Sequence, residues 1–318
     1  MTRIARRALF ATLLPLPALA QADTRPIRLI VSVAPGGAVD LTARLLAQHM
    51  AGPLQRTILV ENRPGANGIL AAEAVVRSTP DGTTLLVAPG EVFSVNPVLH
   101  APLPYDADRA FAPIGIATTG HYVLVVNAGL GVTSLAQLVE LARRRELAYG
   151  STGVGSIPHL NAAAFARDAG IRMLHVPYRG TGPAATATVA GDVALLVSTP
   201  PSVAALVQDG RLAALGAGGT ARLPQFPNVP TMAEAGIAPE ALRPNWFALA
   251  GPAGLPPALV ARLNAAMRQA VAAPEMQDRL RAGGLTPAAG SPEELATTIA
   301  ADLRHFGDLI RATGITRE

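Results

Sequence analysis

The chain has no cysteine and no lysine anywhere in its 318 residues. The first absence excludes a disulfide framework, a thiol nucleophile and a thiolate metal site, so stability has to come from the core alone. The second excludes phosphoryl transfer by a Walker loop, which needs a lysine to reach the terminal phosphates. It also explains a misleading pI of 10.2, because every basic side chain is an arginine with a pKa above about 12. The formal net charge is only +4. The longest basic run, Arg143-Arg144-Arg145, reads as a helix end, where cations suit the dipole. No patch for nucleic acid follows from it.

Several motifs are missing as well. There is no G-x-S-x-G elbow, no H-x-x-x-H pair among His49, His100, His121, His159, His175 and His305, and no G-x-G-x-x-G after a strand. Those absences speak against a hydrolase of the elbow type, a histidine metal site and a dinucleotide cofactor. Neither metal nor cofactor is expected. After the leader, no apolar run is long and continuous enough for a membrane span, which needs roughly 20 residues.

The leader itself has the three parts of an export signal. Arg3, Arg6 and Arg7 precede an apolar run, Ala8 to Leu19, broken by Pro15 and Pro17, and Ala18-Leu19-Ala20 supplies a small-x-small cleavage signal. Cleavage is expected near Ala20 or Ala22, giving a signal peptide over 1–22 and a periplasmic mature chain. Losing those three arginines from 26 leaves 23 basic against 22 acidic residues, a nearly neutral protein.

Beyond the leader, short aliphatic runs alternate with helical-period segments, the pattern of a parallel sheet wrapped by helices. Ile27 to Val33 reads as a strand and Pro35-Gly36-Gly37 as a sharp turn. Val39, Ala43, Leu46 and Met50 then share a helical face. Strands follow at Ile58–Val60 and Thr84–Val87. A second set begins after an apolar strand at Tyr122–Val126. It comprises a helix capped by Ser134, a strand at Leu147–Tyr149, a glycine-rich loop, a helix from Pro158, a strand at Met173–Val176, a helix from Pro183 and a strand at Val193–Ser198. Pro224 to Pro230 is a connector, and Asn245 to Ala250 reads as a strand returning to the first set. The expected fold is therefore α/β with two lobes and two chain crossings: 23–124 and 246–318 in lobe one, 125–245 in lobe two.

In open α/β sheets ligands sit beyond the carboxyl ends of strands, so the strand-to-helix loops are the candidate sites. Ala34-Pro35-Gly36-Gly37 could point backbone N–H groups at an anion, although a bare helix-capping turn would look the same. Asp40 fits either a capping carboxylate in the first helical turn or an acceptor for a ligand. Gly150 to Ser156, with Ser151, Thr152, Gly153 and Ser156, is dense in amides and hydroxyls, and a flexible turn is its plainer reading. In His175 to Gly180, Tyr178 and Arg179 could grip a carboxylate or serve packing and surface roles. Ser156 and His159 stand i, i+3 at a helix start, which leaves an exported serine hydrolase as the alternative function.

Those loops resemble the solute receptors of tripartite tricarboxylate transporters, the Bug or TctC-like family, over nearly the whole mature chain. The matching stretches are Ala34-Pro35-Gly36-Gly37 with Asp40 and Arg44, Val60 to Ala66, Pro80-Asp81-Gly82 with Leu85-Leu86, Asn96-Pro97 and Pro104-Tyr105-Asp106. Further on come Tyr149-Gly150-Ser151, His159-Leu160, His175 to Gly180, Val229-Pro230-Thr231, Glu234-Ala235-Gly236, and Trp246 before Gly251-Pro252. The resemblance implies a periplasmic-binding-protein fold of type II, without enzymatic activity. It also implies that Ala34 to Gly37 with Asp40 from lobe one, and Ser151 to Gly153, Ser156, His159 and Tyr178-Arg179-Gly180 from lobe two, clamp a small carboxylate. The implied partners are the membrane subunits of the transporter, or else a sensor, with the receptor acting as a monomer. The chain departs from the family pattern at Ser32 and Val33, where Pro and Phe are usual, at Thr83 and at Leu255. Ser32 and Val33 precede the binding turn and bear on ligand choice.

Overall fold

The computed structural model describes residues 25–317, so the expected export signal lies outside the described residues. The chain first lays down β1 (Ile27–Val31), α1 (Ala38–Leu54), β2 (Ile58–Asn62), α2 (Ile69–Val76), β3 (Thr84–Pro89), the one-turn helices α3 (Glu91–Ser94) and α4 (Asn96–Leu99), and β4 (Phe111–Gly120). It then builds β5 (Val123–Asn127), α5 (Leu135–Arg144), β6 (Leu147–Ser151), α6 (Ile157–Asp168), β7 (Met173–Pro177), α7 (Thr181–Ala190), β8 (Leu195–Ser198), α8 (Pro200–Gln208) and β9 (Leu212–Ala217). Last come β10 (Asn245–Pro252), α9 (Pro257–Ala272), α10 (Pro274–Ala282), β11 (Leu285–Pro287) and α11 (Pro292–Thr313).

Two sheets result, ordered β11-β4-β10-β3-β1-β2 and β7-β6-β8-β5-β9. Each is covered on both faces, and the strand residues show why. Ile27, Leu29 and Val31 of β1 with Leu85 and Val87 of β3 enter one core, while Ile30, Leu86 and Ala88 enter another on the opposite face. The same alternation divides Leu124 and Val126 from Val123 and Val125 in β5. Side chains of period two feed two cores, and the continuous apolar strand sequence is the consequence. On α1, Val39, Ala43, Leu46 and Met50 are all buried, as their spacing requires.

The alternating pattern reads as a parallel sheet wrapped by helices, and in the structure each sheet also carries antiparallel strands. β10 runs antiparallel to β3 and β4, and β5 antiparallel to β8 and β9. The reason is geometric. Strands such as β1 and β8 end at the interlobe side, whereas β5 and β10 arrive from the other lobe, begin at that side and run away from it. The two crossings touch, Asn245 Nδ2 donating to Tyr122 Oη at 3.0 Å, and Gly218, just past β9, lies against the first of them, its amide donating to the Tyr122 carbonyl at 2.8 Å. A Cβ on Gly218 would stand 2.5 Å from the Leu242 carbonyl oxygen, so the close approach needs glycine.

One further feature departs from the expected division. α11 opens on the first lobe, where a capping box of Ser291 and Glu294 starts it and Leu295 enters that lobe's core. Its far end carries Phe306, Leu309 and Ile310 into the core of the second lobe. Midway, Asp302 accepts from Arg243 at 2.8 Å and from the Trp246 indole at 2.7 Å. The C-terminal helix thus braces the returning crossing.

Candidate functional site

Between the lobes lies a cleft of ≈ 1370 Å³. The first lobe supplies the end of β1 and the turn into α1, Ser32 to Val39, together with the Pro64 to Gly68 turn and Glu91. The second supplies Thr152 to Val154, Pro177 to Gly182, and Thr199 with Ser202. Every one of these segments lies at or just beyond the carboxyl end of a strand, where the crossover geometry leaves helix starts facing the gap.

On the first wall, Ala34 to Gly37 are exposed. Gly36 takes a φ of +94°, a left-handed conformation that favours glycine. Gly37 caps α1 in extended backbone and offers no side-chain bond. The amides of Ala38, Val39 and Asp40 therefore have no acceptor in their own helix, and Ala38 and Val39 are on the cleft. Asp40 itself stands behind the wall, 3% exposed. Its carboxylate accepts from the Gly36 amide at 3.0 Å, from Arg44 Nε at 2.9 Å and Nη2 at 3.1 Å, and from Asn62 Nδ2 at 2.8 Å. Burial would raise its pKa, but the bonds from Arg44, Gly36 and Asn62 outweigh that and hold it below the ordinary carboxylate value. Of its two expected roles, the one these bonds serve is the shaping of the turn at the start of α1.

The second wall separates its expected residues in the same way. Thr152, Gly153, Tyr178, Arg179 and Gly180 line the cleft. Ser151, Ser156 and His159 are buried behind it, with their polar atoms already engaged. Ser151 Oγ lies 2.6 Å from His175 Nε2, donates to the Gly153 carbonyl and accepts from the Gly153 amide. Ser156 Oγ donates to the Gly153 carbonyl and caps α6 by accepting from the His159 amide. His159 Nδ1 accepts from the Gly155 amide at 3.1 Å, and its ring stacks on His175 with centroids 3.7 Å apart. Burial pushes His159 down to about 3, with His175 adding to it, and burial pushes His175 down to about 4. Both are neutral near pH 7.

This geometry also removes the hydrolase alternative. Ser156 bonds to backbone atoms and not to the His159 ring, and neither reaches the cleft. A nucleophile has to meet both its base and its substrate. Among the described residues no group of three or more His, Cys, Asp or Glu gathers into a metal-binding cluster.

Three lining segments escaped the sequence reading. Thr199 and Ser202 stand at the start of α8, where Pro200 and Pro201 carry no amide hydrogen, so this helix contributes hydroxyls. Glu91 follows β3, and Pro64 to Gly68 follow β2. All three obey the same strand-end rule that found the others. The missing signal was the helix: α3 is one turn long, and α2 is preceded by a 3₁₀ turn containing Asn67 at φ +50°.

The chain matches the family model described as Tripartite tricarboxylate transporter family receptor over residues 42–315. Protein BugT of Bordetella pertussis is 32% identical over 321 residues, covering 99% of this chain and 98% of BugT. Among solved structures, R. palustris Rpa4515 with adipate superposes with a TM-score of 0.84 at 29% identity, covering 92% of this chain and 99% of that one. MatC from Rhodopseudomonas palustris with bound malate gives 0.79 at 28% identity, covering 91% and 99%. The two-lobed architecture is that of the periplasmic binding proteins. With its sheets, crossings and cleft in that arrangement, this chain belongs to the tripartite tricarboxylate transporter receptor family of periplasmic, non-enzymatic solute-binding proteins.

Proposed function

We propose that this receptor is exported with removal of residues 1–22, captures a small carboxylate between its lobes, and delivers it to the membrane subunits of a tripartite tricarboxylate transporter. One observation carries the reading. Two helices that start without a side-chain cap, α1 at Gly37 and α7 at Gly180, open onto one cleft from opposite lobes. Free amides at helix starts favour anions through both hydrogen bonds and the dipole. Ala34 to Gly37 on one side, and Thr152, Gly153 and Tyr178 to Gly180 on the other, are the proposed contacts. Relatives solved with adipate and malate support the ligand class.

Such a ligand couples to lobe closure because only the closed form offers it both walls. The cleft is larger than the ligand pockets of about 300–1000 Å³ that small molecules usually fill, which leaves room for the walls to approach.

Gly37→Asp tests the mechanism. Gly37 has extended backbone and open space around a Cβ, so an aspartate there can cap α1 and compete with the ligand for the same amides. The free protein should melt at or slightly above the wild-type temperature, and calorimetry should show carboxylate affinity falling by about 30-fold or more. Unchanged affinity would remove α1 from the ligand site.

A further inference from the structure

Two shielded oxygens on the first-lobe side of the cleft have no partner among the described residues: Ser32 Oγ and Glu91 Oε2. Both residues line the cleft, and Ser32 is 3% exposed. They come from neighbouring strand ends, since Ser32 follows β1 and Glu91 follows β3, which pair in parallel. Gly68 permits the approach. A Cβ there would stand 3.1 Å from Ser32 Cβ and 2.6 Å from Val92 Cγ2, the residue after Glu91.

Of the cleft-lining residues, His100 also has a shielded ring nitrogen, Nε2, without a partner, whereas the neighbouring Asn245 is fully engaged. Asn245 Oδ1 accepts from the Trp246 amide at 2.8 Å and the Gly90 amide at 3.3 Å, and its Nδ2 donates to Tyr122 Oη at 3.0 Å. This network fixes the crossing strands beside Glu91 and leaves Oε2 aside.

Resting on the receptor reading, we propose that Ser32 and Glu91 form a second polar subsite that receives a hydrogen-bond donor of the ligand. The ligand is then a small carboxylate that also bears an ammonium or a hydroxyl group, not a plain diacid. A buried acceptor without a donor is costly, and a ligand supplying one recovers that cost. A second ligand carboxylate at the same place would meet an acid. Burial pushes Glu91 up to about 7, against bonds from its own backbone amide and from Asn245. The other ionisable groups around it are Tyr122 beside Asn245, and His100, Tyr178, Arg179 and Arg317 on the cleft.

The experiment is calorimetry on the mature chain with matched acids: succinate, malate and aspartate, then glutarate, 2-hydroxyglutarate and glutamate. Variants are Ser32→Ala, Glu91→Ala and Glu91→Gln, each checked by unliganded melting. The wild type should bind a donor-bearing acid at least about ten-fold more tightly than its plain counterpart. Both alanine variants should shrink that preference several-fold. Glu91→Gln keeps the shape without the charge, so it should reduce amino-acid binding more than hydroxy-acid binding. Amino-acid affinity in the wild type should rise between pH 6 and 8 as Glu91 ionises, and Glu91→Gln should flatten that rise. Binding with no preference for donors, or a preference that all three variants retain, overturns the Ser32–Glu91 subsite alone. If no carboxylate of any series binds the wild type, the receptor reading for carboxylates falls and this subsite with it.

Discussion

The two loops that face each other across the cleft use their hydrogen-bonding groups in opposite ways. The first-lobe turn, Ala34 to Gly37, has no side-chain donor of its own and leaves the start of α1 uncapped. The second-lobe loop, Gly150 to Ser156, has three hydroxyls, and two of them, on Ser151 and Ser156, are tied to Gly153, His175 and the start of α6. The loop richer in polar side chains is therefore the more internally satisfied. What marks a binding surface is a donor without a partner, not a high density of donors.

The largest effect expected from disturbing this contrast is at Asp40. Asp40→Ala removes the acceptor shared by Gly36, Arg44 and Asn62, so the Gly36 amide loses its partner and Asn62 keeps only its bonds to Val33 and Arg44. It should cost about 3 kcal/mol in denaturant unfolding and abolish carboxylate binding by letting the turn relax. A variant that unfolds like the wild type would mean the turn holds its shape without this hub.

Acid should separate the two loops by pH. His159 and His175 have folded pKa values depressed to about 3 and about 4, below the unfolded value near 6.5. Their contribution is complete above pH 6.5 and is lost as pH falls through that window toward the folded values. Asp40 is also depressed, but from an ordinary carboxylate value of 3.8, so its contribution is lost only at still lower pH. Stability should drop by roughly 3 kcal/mol between pH 7 and 4.5, most of it from His159, with His175 discounted for its partial exposure. Hydrogen exchange should rise at 150–160 while the Gly36 amide, bonded to Asp40, keeps its protection. Equal protection loss in both loops over that range would contradict the assignment.

The smallest effect belongs to Ser156→Ala. Loss of one helix cap should cost about 1 kcal/mol and leave carboxylate affinity within about three-fold, because Ser156 does not reach the cleft. A larger loss of affinity would show that the capped helix start takes part in binding.

Much of the fold was legible along the chain. The buried face of α1, the Ser134 cap of α5 and the returning strand at Asn245 all follow from local spacing and chemistry that hold wherever the segment sits. The mixed sheets were not legible, since strand direction depends on which lobe the chain arrives from. Nor was the reach of α11, whose apolar face reads as a single stripe although Leu295 and Phe306 serve different cores.

For the site the division falls elsewhere. Local sequence pointed to Pro35-Gly36-Gly37 and Tyr178-Arg179-Gly180, which line the cleft, because glycine permits the sharp turns that follow strands. It could not distinguish Thr152, on the cleft, from its neighbour Ser151, fully buried beneath it.

By itself the sequence determined that this is a two-lobed α/β protein without thiol or lysine chemistry, with helix starts at the strand ends. Those properties depend on residue type and spacing alone. Only the tertiary structure decided which donors stay open, that Asp40 and His159 support the walls, and that Ser32 and Glu91 both line the cleft. Partnership of a polar atom is a property of what lies within about 3 Å in space, and residues that far apart in sequence come that close only when the lobes are built.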